Sequence, residues 1–364
     1  AGVARPPAAT AAALSGAAQR PGHADSVLAG AGILAAVLAG CRRARPGRRG
    51  RDGVRSAASK NTTTDNQLKQ VRVEAVAEAI QRSTPVPQSF NQAITWACAA
   101  ALDAAENGKM RQSMYFNAGD EDREVGGQLG SVLPFAEAFS KAMGDVQADE
   151  GGKVVTVFTD LGAMEMCRKR WVPDNEDSAG PGLWLDYWPL VTRGADMVSA
   201  KDKPKFMKLM EADLIIGVAP TQAELPAVLM LLQLLEETGR DIPVVLLNPR
   251  LMSNAYVGAG TLMKAFRELN TNMLPTFHLE QLELEDDDTL NPAVVTRVWP
   301  RPFSVWEDNA SDPDAIDGYF LLELSEDRAP ETPELRGLLE ASRDIAMQLL
   351  PPPPKSRSRK DRPQ

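Results

Sequence analysis

Histidine is nearly absent from this chain, with His23 and His278 alone among 364 residues. Cysteine is almost as scarce: Cys41, Cys98 and Cys167, with no C-x-x-C pair. These shortages exclude a disulfide scaffold and the usual donor sets of a zinc site, and no metal or cofactor is expected. Cys98 and Cys167 lie in apolar helical patterns and read as small buried hydrophobes. His278 alternates with apolar residues in a strand-like run, where a structural role is the ordinary one. Three phosphate and nucleophile signatures are also missing: G-x-G-x-x-G, G-x-x-x-x-G-K-[ST] and G-x-S-x-G. Gly258-Ala259-Gly260 has neither a following lysine in phosphate-loop register nor a preceding strand. There is no internal repeat, and the residues bring no catalytic constellation with them.

Charge is distributed unevenly. Residues 1–60 hold ten basic and two acidic side chains, and residues 351–364 hold five and one. With a net charge of −9 for the whole chain, about −21 falls on residues 61–350. A body so acidic repels phosphate backbones, so nucleic-acid binding by the folded part is excluded. Near the N-terminus, residues 26–40 read SVLAGAGILAAVLAG, an apolar run of 15 residues followed by CRRARPGRRGR. That run is short of the roughly 20 residues that span a bilayer. An apolar run, an arginine cluster and few acids make targeting chemistry. The competing reading, a single membrane anchor, has to contend with a run made mostly of Gly and Ala. Residues 1–62 are therefore read as a leader and 351–364 as a basic tail. The chain starts at Ala1 without methionine, and the native N-terminus is expected upstream.

The body, 63–350, reads as one α/β domain. Residues 212–251 outline a strand, a helix and a strand, the unit that builds parallel sheets with helices on both faces. Helices are predicted at 65–82, 89–107 (Ser89 with Gln92 as capping box), 129–145, 161–171 and 332–350, the last with Pro333 at its first position. Strands are predicted at 110–117, 153–160, 212–220 and 242–248. From 273 onward, four alternating runs at 273–285, 293–299, 303–307 and 317–326 look antiparallel. Gly258 to Leu269 is compatible with a short helix. Residues 172–203 read as an irregular insertion. The fold class is thus α/β, a Rossmann-like parallel core with an antiparallel extension near the C-terminus.

The order of motifs resembles that of a known family. QAITWACAAALDAAENG at 92–108 is similar to its opening helix, and VFTDLGAMEMCRKRW at 157–171 to its strand and helix. ADLIIGVAP at 212–220 is similar to its "D…V.AP" strand, and VVLLNPRL at 244–251 to its most specific signature. RVWPRPFSVWED resembles its "YP.PW.V" hairpin, with Trp299-Pro300 in place of Tyr-Pro and Phe303 in place of the tryptophan. The family is the domain of unknown function numbered nineteen-ninety-five, and the resemblance covers about 85–345. It implies a protein of plastids and cyanobacteria. The leader likewise resembles the transit peptides of algae with complex plastids. Chloroplast stroma or the stromal face of the thylakoid is the location implied, with peripheral thylakoid association. The implied function is non-enzymatic: assisting assembly or accumulation of a photosynthetic complex such as photosystem II, with its subunits or assembly factors as partners. No catalytic residues are established for the family, so none carry over.

Two sets of residues are candidates. In open parallel sheets, ligands bind beyond the carboxyl ends of the strands, which here are marked by Asp160, Thr221 and Asn248. Each has a plain structural alternative. Asp160 and Thr221 stand where helix caps belong, and Asn248-Pro249 is an ordinary turn after a strand. A metabolite- or nucleotide-binding protein, or an enzyme, using that crevice is the alternative to the assembly role. The second set is Trp184, Tyr187 and Trp188 in the insertion. Exposed, they would anchor a partner; folded back, they would belong to the core.

Overall fold

The computed structural model describes residue 75 and residues 77–117, 132–172, 179–180, 182–189, 191, 203–250, 269, 272–282, 290–309, 318–326 and 328–349. The chain divides between Ala77 and Glu78 into two units, and every labelled element belongs to the second. The predicted leader at 1–62, the short helix expected from Gly258 up to residue 268 and the tail at 351–364 lie outside the described residues.

Helix α1 (Phe90–Glu106) starts where Ser89 accepts a hydrogen bond from the Gln92 amide at 3.2 Å. Gln92 reaches back to the Gln88 amide at 2.6 Å, one residue earlier than in a strict capping box. Then follow β1 (Arg111–Asn117), α2 (Val132–Asp149), β2 (Val154–Phe158), α3 (Leu161–Trp171) and β3 (Leu183–Tyr187). The chain continues through α4 (Lys203–Leu209), β4 (Leu214–Val218), α5 (Leu225–Thr238) and β5 (Val244–Leu247). It ends with β6 (Leu274–Leu282), β7 (Ala293–Val298), β8 (Phe303–Asp308), β9 (Tyr319–Ser325) and α6 (Thr332–Leu349). Among the described residues no helix is long and apolar enough to cross a membrane.

Among the described residues, nine strands form one sheet in the order β3-β2-β4-β5-β1-β6-β7-β8-β9. Pairing is parallel from β3 through β6 and antiparallel from β6 through β9. The fold is therefore α/β, with the antiparallel part at the C-terminus as predicted. The strand order departs from that of a dinucleotide-binding sheet, in which the first strand sits beside the second. Here β5 and β4 separate β1 from β2. The predicted insertion at 172–203 also needs correction. Its described part contains β3, which pairs in parallel with β2 from Val154↔Leu183 to Phe158↔Tyr187. Leu183, Trp184 and Leu185 form a short apolar run that Asp186 and Tyr187 extend, and β2 offers it an outer edge to pair with.

Strand alternation divides the core between the two faces. Val155 and Val157 join α4 and α5 in a cluster with Phe206, Ile215, Leu231, Val244 and Leu246. Thr156 points the other way, its hydroxyl donating to Ser140 of α2 at 2.9 Å. On that second face Phe135 of α2 stacks on Phe116 at 4.4 Å and on Phe277 at 5.7 Å. Helix α5 is apolar nearly all round because it is buried along most of its length, and Gly239 closes it in the left-handed region at φ 62°. Helix α6 covers β7, β8 and β9 through Leu335 and Leu339. Cys98 and Cys167 are buried and unbridged, and burial pushes their thiols up to about 12 and about 11, as expected of inert core residues.

Just before α1, the chain crosses the β7–β8 hairpin and is held there by buried polar groups. Ser83 and Thr84 are each 2% exposed. The Thr84 carbonyl accepts from Thr296 Oγ1 at 2.6 Å and from Trp306 Nε1 at 2.9 Å. Its amide donates to Ser304 Oγ at 2.8 Å, and its hydroxyl oxygen accepts from the Val298 amide at 3.1 Å. Arg301 in the turn donates to the Ser83 carbonyl at 2.8 Å. Replacing Thr84 by Val keeps the shape but leaves the Val298 amide without its partner. The expected loss is about 1–3 kcal/mol of stability, read by urea unfolding.

Candidate functional site

Three strands of the parallel core end in side chains that sequence reading singled out, and each is committed to the backbone around it. Asp160 follows β2 and accepts from the Ala163 amide at 2.9 Å, capping α3. Thr221 follows β4. Its amide and hydroxyl both donate to Glu224 Oε2, at 2.8 and 2.6 Å, and its oxygen accepts from the Ala223 amide. Helix α5 then begins at Leu225, since Pro226 suits only the first turn of a helix.

Asn248 is the most constrained of the three. It is 3% exposed and adopts φ 45°, in the left-handed region that asparagine tolerates better than other side-chain-bearing residues. Its amide donates to Met114 O at 2.7 Å, its Oδ1 accepts from the Phe116 amide at 2.9 Å, and its Nδ2 donates to Phe116 O at 2.8 Å. The side chain thereby stands in for one more residue of β5. Ala219, at the end of β4, has φ 42°, and its amide donates to Leu247 O at 2.8 Å.

The aromatic candidates are placed differently from an exposed patch. Trp188 is 3% exposed and lies in the α4–α5 cluster. A Cβ on Gly217 would stand 2.9 Å from the Trp188 ring, so glycine in β4 makes room for the indole. Trp184 packs half-buried against the same cluster. Tyr187 is half-buried beneath Lys205, whose Nζ lies 3.9 Å from the ring centroid and donates to the phenol oxygen at 2.6 Å.

The most polar arrangement near the strand ends involves residues that sequence reading passed over. Tyr115 of β1 stacks on His278 of β6, with centroids 5.0 Å apart and planes 18° apart. His278 Nε2 lies 3.2 Å from Glu280 Oε2, and Phe303 closes the ring's edge at 5.5 Å. The Tyr115 phenol is held above its usual range, first by burial and then by the Glu280 carboxylate, which also accepts its hydrogen bond. Arg250 and Asn117 oppose that shift, so both stand close to the phenol. Glu280 thus joins the phenol of Tyr115 and the imidazole of His278 through one carboxylate. Alternation in 274–282 places His278 and Glu280 on one face. Only the register Tyr115↔His278 brings β1 to them, and a single sequence does not carry that register. Among the described residues, no group of His, Cys, Asp and Glu has the geometry of a metal site.

These elements define an open-sheet α/β protein whose strand ends are closed by caps and turns. The sequence matches the model of the domain of unknown function DUF1995 over residues 87–336, and the chain belongs to that family. No curated protein matches it.

Two measurements test these roles. Asn248→Ala leaves the buried Phe116 amide and carbonyl unpaired and places alanine at positive φ. We expect a loss of about 3 kcal/mol in equilibrium unfolding, against about 1 kcal/mol for Asp160→Ala. Glu280→Gln removes the carboxylate that raises the Tyr115 phenol. Phenolate absorbance, taken as the difference from Tyr115→Phe, should then appear at lower pH than in the parent protein.

Proposed function

We propose that the protein acts by binding, without catalysis, in the assembly or accumulation of a photosynthetic complex in the plastid. The observation that carries the binding half is the engagement of Asp160, Thr221 and Asn248. Asp160 caps a helix, Thr221 closes a turn on Glu224 and Asn248 extends a ladder, structural tasks that each side chain performs without a ligand. Family membership over 87–336 supports the plastid half, together with the apolar run and arginine cluster at 26–51. The partners are subunits of that complex or its assembly factors, met at the stromal face of the thylakoid.

The cluster of Tyr115, His278 and Glu280, with Arg250 beside it, favours a second reading, a small polar ligand in a Rossmann-like location beyond the strand ends. One experiment separates the two. Affinity purification from intact plastids should recover photosystem subunits with the tagged chain. Recovery of the protein alone, carrying a retained nucleotide or metabolite, would sink the assembly role and leave the ligand reading standing.

A further inference from the structure

Among the described residues β3 ends the sheet, and the charged side chains lining its outer edge, Arg168 and Lys208, are cationic in an otherwise acidic body. In a parallel ladder alternate residues bond the neighbouring strand. Gly182 O accepts from the Val154 amide at 2.7 Å and the Trp188 amide donates to Phe158 O at 2.9 Å. Trp184 and Asp186 therefore also face β2, while Leu183, Leu185 and Tyr187 turn their backbone groups outward. Two of the outward amides are already engaged: Leu183 with Gly180 O at 3.2 Å and Tyr187 with Asp186 Oδ1 at 2.9 Å. The Leu185 N–H and C=O have no partner among the described residues.

A cleft of about 280 Å³ lies along this edge, lined by Met164, Arg168, Val172, Ala179, Trp184, Leu185 and Lys208. Its floor is apolar and its rim is cationic. Arg168 comes from α3 on one face of the sheet and Lys208 from α4 on the other. Arg168 and its neighbour Lys169 form no ion pair among the described residues, while Lys208 is shared with Asp186 at 3.0 Å. The indole N–H of Trp184 is buried without a hydrogen-bond partner among the described residues. Met166 of α3 and Met207 of α4 are 54% and 46% exposed.

We propose that this edge receives an extended acidic segment of a partner protein as an added strand. The segment would pair with the Leu185 backbone, place one apolar side chain in the cleft and set its carboxylates against Arg168 and Lys208. Strand addition gives affinity through the main chain and specificity through alternate side chains. Elsewhere the acidic body repels such a segment, so complementary charge directs it to this edge. The inference rests on the partner-binding reading above and names the chemistry of the partner.

The test uses the full chain and a labelled synthetic peptide, blocked at both ends, that alternates glutamate with valine and phenylalanine. Fluorescence anisotropy should show saturable binding, and the same peptide with lysine for glutamate should fail to bind. Arg168→Glu, a surface change on α3, should weaken binding roughly tenfold while leaving the thermal transition in place. Leu185→Pro removes an N–H that the β2 ladder does not use, a position where an edge strand accepts proline, and should weaken binding likewise. Absence of saturable binding, equal binding of the lysine peptide, or an unchanged affinity in Arg168→Glu would each overturn the proposal. If the acidic peptide binds as described but plastid purification yields no photosystem subunits, the edge stands and the assembly role falls. Photosystem subunits recovered equally by the parent and by Arg168→Glu would remove the edge alone.

Discussion

Everything in this sheet passes through β1, and β1 is held on one side by Asn248. Four strands lie beyond it toward β3 and four toward β9, so the two halves of the sheet are continuous only across this strand. The β5 ladder is short, Val244 to Leu247, and ends while β1 still has residues to pair. A side chain takes over: Asn248 gives Phe116 both an acceptor and a donor, as another residue of β5 would. The left-handed turn at the same residue then carries the chain past Pro249 to Arg250, whose amide donates to Pro220 O at 2.8 Å beyond the end of β4. Only a short amide side chain satisfies both demands at once, which explains why the strand ends in Asn-Pro. Phe116, fixed in this way, is the ring on which Phe135 stacks, so the same hydrogen bonds register α2 against the sheet.

That economy has a consequence for function. Strand ends are where open sheets receive ligands, because backbone groups there are free and side chains converge. In this protein those resources go into the fold. Asp160 caps a helix, Thr221 closes a turn on Glu224, and Asn248 extends a ladder. The chemistry that remains is displaced along the sheet to β1 and β6, where Tyr115, His278 and Glu280 meet. It is also displaced outward, to the edge at β3.

Local order was legible from the sequence and neighbour relations were not. Leu161–Trp171 and the hairpin around Pro300 follow from caps, prolines and alternation, which act over a few residues. The insertion of β1 between β5 and β6 is set by which faces bury together, and no short window records it. The same limit applied to the candidate site. Asp160 was readable because a cap is local, while Thr221, read as a cap, closes a turn on Glu224 one turn before the helix starts. The stacking of Tyr115 on His278 joins residues more than a hundred positions apart and depends on sheet register. The N-terminal crossing at Ser83 and Thr84 belongs to the same class. Two small polar residues before a proline read as a helix end, yet they carry the bonds that lock the β7–β8 hairpin.

The misreading of 172–203 has a specific physical cause. Proline, glycine and aspartate recur through that stretch and mask a five-residue strand, Leu183 to Tyr187, that one neighbouring strand is enough to order. An edge strand needs only one partner, so its composition is freer than that of a central strand, and it can carry the residues that protect an edge. Asp186 bonds the Tyr187 amide and pairs with Lys208, and Lys205 covers the Tyr187 ring. These contacts close the upper half of the edge to indiscriminate pairing with other strands. Leu185, between these contacts and the Leu183 amide bonded to Gly180 O, lacks them and is bordered by cations and an apolar cleft. Protection that stops where a charged groove begins is the pattern of a surface selective in what it pairs with. In a body carrying about −21, that selectivity favours acidic segments that the rest of the surface turns away.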